Sequence, residues 1–148
     1  MRSMKKINMA DPHFTEKDRA WIHKEIDSIL DGALSMGPNV QAFETEFSNM
    51  VGVNHAIAMN SCTAALEVAL AFHNIDGGEV IVPAETFIAT GMAVQLVGGT
   101  PVFAEVSEST FCLDLEDVRR LVNNNTRGIV LVHFGGMITP DIDEFVQF

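Results

Sequence analysis

Two short stretches carry residues whose types and spacing could do chemistry. In MNSCTAAL, residues 59–66, an apolar run turns through Asn60, Ser61 and Cys62 directly into an apolar helix. Such a turn aims unsatisfied backbone N–H groups and the positive end of a helix dipole at one spot, which suits an anion. The hydroxyls of Ser61 and Thr63 could add two donors to a phosphate. A plainer account, in which Ser61 or Thr63 is an ordinary N-cap, fits the same residues. In PAETFIAT, residues 83–90, Phe87 follows a strand and could present its face to a flat aromatic ligand, or simply fill a core. His133, after the apolar run GIVLV, is a third candidate, as a general base or as a histidine satisfied by loop backbone. The glycine-rich fingerprints of nucleotide sites are missing, Cys62 and Cys112 have no zinc-ligand spacing, and no Ser/His/Asp arrangement is apparent.

The elements that must position these residues are legible from periodicity. Thr15 with Asp18 reads as a capped helix start, and Trp21, Ile22, Ile26, Ile29 and Leu30 then recur at helical spacing until Gly32. A second amphipathic helix follows Gly37 and Pro38, with Val40, Phe43, Phe47 and Val51 on one stripe and Gly52 as its end. Beyond it the pattern becomes strands at about 55–60, 78–82, 100–104 and 128–133, alternating with helices at about 63–73, 86–97 and 114–122. That alternation predicts a three-layer αβα fold with a mainly parallel sheet. Asp114 is the expected cap of its helix, and Glu116, Asp117, Asp141, Asp143 and Glu144 read as solvated helix starts. The segment DIDEFVQF starts a further helix, which in such an architecture leads to another parallel strand, so the sheet reads as unfinished.

Bulk properties exclude some partners. A chain of 148 residues with 47% hydrophobic content can bury one core, and a net charge of −11 repels nucleic acid and anionic membrane surfaces. Neither a signal peptide nor a bilayer span is evident, and the expected location is the cytoplasm. The lysines, Lys5, Lys6, Lys17 and Lys24, all precede the MNSCTAAL turn.

In order, GALSMGPNVQAFETEF, NSCTAAL, GGEVIVPAETFIAT, GGTPVFAEV, DLEDVRRLVNNNTRGIVLVHFGG and DIDEF give the chain its resemblance to the DegT/DnrJ/StrS-type sugar aminotransferases, pyridoxal 5'-phosphate (PLP) enzymes of fold type I. The resemblance implies an N-terminal arm and helix in residues 1–36, and the N-terminal part of a PLP-binding large domain in residues 37–148. It implies that Thr63, with the N–H groups around Ser61 and Cys62, binds the PLP phosphate, and that Phe87 stacks on the pyridine ring. Two positions depart from the family pattern: Cys62 stands where glycine is usual, and Glu105 where aspartate is common. The family's covalent lysine and pyridinium-pairing aspartate match nothing up to Phe148, so PLP held by this portion would be gripped weakly, through its phosphate. The implied activity is transfer of an amino group, typically from glutamate, to a nucleotide-linked keto sugar by a homodimer. Two alternatives stay open, a non-catalytic binding or interaction module on the same scaffold and a related PLP sugar dehydratase.

Overall fold

The computed structural model describes residues 12–32 and 34–148, so the expected arm before Pro12 lies outside the described residues. The chain forms two compact units, Met1–Ala58 and Met59–Phe148.

The first unit holds helix α1, Glu16–Leu30, and helix α2, Pro38–Val51. Thr15 and Asp18 cap α1 reciprocally: Thr15 Oγ1 accepts the Asp18 N–H at 3.2 Å, and the Thr15 N–H donates back to Asp18 Oδ2 at 2.8 Å. The Thr15 hydroxyl also donates to Asp18, and these bonds, hydroxyl first, hold the Asp18 carboxyl below its ordinary range. Pro38 opens α2, and Gly52 closes it in the left-handed region at φ 75°, where a side chain would be strained. The strand expected at 55–60 does not form. Those residues, largely exposed, find no ladder partner among the described residues, and an extended segment without one forms no sheet. One backbone group is satisfied differently: the Ala58 N–H donates to Glu44 Oε1 on α2 at 2.8 Å.

The second unit is the three-layer αβα arrangement. Helix α3 is Cys62–Phe72, β1 Glu79–Pro83, α4 Ala89–Leu96, β2 Thr100–Ala104, α5 Leu115–Leu121 and β3 Thr126–Ile129; a 3-10 turn at Phe134–Gly136 and a short helix α6, Ile142–Phe145, follow. The strands are parallel in the order β2-β1-β3. Alternate residues of β1 explain the layers. Val80 and Val82 bury with Ile75 and Val94 against Leu70, which places α3 and α4 on one face. Ile81 buries with Ala104, Leu113 and Val118 against Leu121 and Phe145, which places α5 and α6 on the other.

The last strand is shorter than GIVLVH suggests, and proline is the reason. Along β1 the hydrogen-bonding sides alternate: Ile81 C=O accepts from Val130 on the β3 side, whereas the Ala84 N–H donates to Ala104 C=O on the β2 side. Pro83 falls on the β3 side, where the next rung needs an N–H that proline lacks. Pairing with β3 therefore ends after Val130. At its start β3 also carries an irregularity, since Glu79 faces Thr126 but Val80 faces Gly128.

Candidate functional site

The strand order reverses at β1. The chain leaves β1 toward α4 on one face and reaches β2 on one side. It then returns past β1 to β3 and leaves toward the opposite face. Diverging loops of this kind open a crevice at the carboxyl ends of the strands, where ligands of open parallel sheets bind. Phe87 lies on the loop after β1, and His133 lies exposed on the segment after β3.

The MNSCTAAL turn starts α3. Ser61 is its N-cap in extended conformation, with Oγ accepting the Ala64 N–H at 3.2 Å, so the ordinary capping role is filled. Its hydroxyl proton points to Asn60 Oδ1, 3.4 Å away. The N–H groups of Cys62 and Thr63 have no acceptor among the described residues, and neither does the half-buried Thr63 side chain. Two backbone donors and one hydroxyl are thus unpaired among the described residues at the positive end of an 11-residue helix. Cys62 is the first helical residue, exposed and without a positive φ, so the backbone here needs no glycine. The turn was expected at a strand end; it is instead held by α3, which packs along α4 and through Leu70 on the core.

Phe87 is 76% exposed and lines a cleft of about 230 Å³ with Ala84, Thr86, Gly91, Met92 and Phe103. The Phe103 ring packs beside Gly91 at ordinary van der Waals distance, 3.6 Å from where a Cβ would stand. Sequence reasoning missed the roles of two residues, Thr90 beside this cleft and Asp117 on α5 at the opposite face of the sheet. Thr90, 6% exposed, places Oγ1 2.9 Å from Thr86 Oγ1. At the end of β2, Asp117 Oδ2 accepts the Glu105 N–H at 2.8 Å while Oδ1 accepts Arg120 Nε at 2.9 Å. The Glu105 bond first, then Arg120, hold the Asp117 carboxyl below its ordinary range. No group of three metal-ligating side chains occurs among the described residues, and no helix there is long and apolar enough to cross a membrane.

Open amides at the start of α3 suit a phosphate, and the exposed Phe87 ring on the loop after β1 suits a flat partner, both within a parallel α/β unit. Comparison with known proteins is specific. The DegT/DnrJ/EryC1/StrS aminotransferase family matches residues 16–148, and the chain belongs to that family. Spore coat polysaccharide biosynthesis protein SpsC of Bacillus subtilis is 44% identical over 116 residues, 78% of this chain and 30% of that protein. GDP-perosamine synthase of Caulobacter vibrioides is 34% identical over 148 residues, 99% of this chain and 39% of that one. The PLP form of Spr1654 from Streptococcus pneumoniae superposes with a TM-score of 0.87 at 30% identity, covering 97% of this chain and 36% of that one. The chain therefore spans about a third of the length of these relatives.

Membership implies PLP; the open amides and hydroxyl of Cys62 and Thr63 suit a phosphate and the uncovered Phe87 ring suits a pyridine, while the cleft beside Phe87 is not lined by residues 61–63.

Proposed function

We propose that the protein acts as a PLP-dependent aminotransferase on a nucleotide-linked keto sugar, with glutamate as donor, as a homodimer in the cytoplasm. The observation that carries this reading is the open first turn of α3, where the Cys62 and Thr63 amides and the Thr63 hydroxyl lack partners among the described residues. Family membership supports the transferase class, and the GDP-perosamine synthases among its relatives support a nucleotide sugar. When bound, PLP supplies an electron sink for moving the amino group. This chain's own share is grip: Ser61 orders the turn, Cys62 and Thr63 bind phosphate oxygens, and Phe87 covers one face of the ring. The share proposed for this portion is grip through the phosphate, since its four lysines precede that turn in sequence.

Thermal unfolding of the chain with inorganic phosphate or PLP tests the assignment. Both ligands raise the unfolding midpoint, and Thr63→Val lowers phosphate affinity about tenfold to a hundredfold, the worth of a hydrogen bond to a charged group. Phe87→Ala removes only the advantage of PLP over phosphate. A midpoint indifferent to phosphate in the unaltered chain rules out the α3 site.

A further inference from the structure

With 76% of its surface exposed, the Phe87 side chain has little packed against it, so its placement falls to the backbone. One residue holds that backbone at two points. The Thr90 N–H donates to Phe87 C=O at 3.0 Å, and Thr90 Oγ1 pairs with Thr86 Oγ1 at 2.9 Å, on the residue just before Phe87. A threonine at the N-cap itself spends its hydroxyl on capping, but Thr90 is the second residue of α4. Ile88, at the N-cap, offers no side-chain cap, and the Thr86 and Thr90 hydroxyls bond each other. Thr90 is also nearly inaccessible, which shields its side of this part-buried pair from competing water.

Resting on the reading that Phe87 stacks on the pyridine ring, we propose that Thr90, paired with Thr86, is a positioning residue that sets the Phe87 ring for the cofactor. It acts through Phe87, and its loss should weaken ring recognition while sparing the phosphate site on α3.

The test measures affinities of the chain for PLP and, separately, for inorganic phosphate, with circular dichroism in the PLP absorption band and amide exchange at residues 86–90 of the free chain. Thr90→Val and Thr86→Val each weaken PLP binding about threefold to tenfold, as expected for one neutral hydrogen bond, and leave phosphate binding unchanged. Both variants alter the PLP dichroism and speed exchange of the Thr90 amide, whereas Thr90→Ser keeps the hydroxyl and restores all three readouts. Should Thr90→Val fail to fold, Thr86→Val decides, since that side chain sits on the loop. Equal loss of PLP and phosphate in the valine variants would reduce the pair to general scaffolding and overturn the proposal, as would unchanged PLP affinity. If Phe87→Ala binds PLP as the unaltered chain does, the stacking reading fails and this proposal with it. If Phe87→Ala weakens PLP while the threonine variants do not, the proposal alone fails.

Discussion

Asp117 carries out two tasks with one carboxylate, capturing the Glu105 amide at the end of β2 and the Arg120 guanidinium one turn along α5. Both partners favour the ionised form, which is why its carboxyl lies below the ordinary 3.8. A carboxylate lowered in the folded state stabilises the fold at pH values above its unfolded value and loses that contribution as pH falls through the folded one. Acidification below about pH 4 should therefore lower the unfolding midpoint, and Asp117→Asn should show a shallower fall there because it has no proton to gain. Parallel pH profiles for the two proteins would mean that Asp117 is not a source of the acid sensitivity. Such residues mark the limit of what sequence shows. Ser61, Thr63 and Phe87 stand out because their types suit a ligand and flank recognisable elements. Asp117, read as a solvated helix start, and Thr90, read as part of a helix, gain their roles from partners that only folding brings near. Glu105 reaches Asp117 across 12 positions, and the Thr86–Thr90 pair straddles a loop and a helix whose boundary periodicity leaves blurred.

Periodicity identifies which segments can be helix or strand, but pairing decides which become one. Strands 79–83 and 100–104 and helices at 16–30, 38–51, 62–72 and 115–121 lie within two residues of the sequence reading. The segment 55–60 has the composition of a strand and no partner, and the run after Ile129 is apolar yet loses its ladder at Pro83. The sheet order β2-β1-β3 is likewise invisible to a one-dimensional pattern. Core packing, however, explains Gly99, the last of the three residues joining α4 to β2. A Cβ there would lie 2.8 Å from Ile75 Cγ2 and 3.0 Å from Val94 Cγ1, both branched side chains locked in the core. Gly99→Ala should cost about 1–3 kcal/mol, the usual penalty of overpacking, read as a lower urea midpoint. An unchanged midpoint would show that the turn relaxes freely and that the close approach of α4 to β2 is not required.

At the scale of the Met59–Phe148 unit, one side is unusually apolar for a solvent surface. Leu96 is 61% exposed and Phe103 60%, and Phe87, Ile88 and Met92 are exposed beside them on α4, β2 and the loop after β1. Among the described residues β2 is also an edge strand, so self-association could run in two ways: another strand could add to its edge, or the apolar side chains could meet a second copy. Proline distinguishes them. Thr100 N–H donates to Gly78 C=O on the β1 side, so Pro101 falls on the free edge, where it has no N–H to offer and interrupts any added ladder. The proposed self-association should therefore run through side chains. Light scattering at micromolar concentration should give a mass above that of one chain, and Leu96→Glu combined with Phe103→Lys should return it to the monomer without changing the far-ultraviolet dichroism. Pro101→Thr, which restores an edge donor, should leave the dimer constant unchanged. A monomeric unaltered chain would remove the surface as an interface, and tighter association of Pro101→Thr would show that the edge, not the apolar face, holds the copies together.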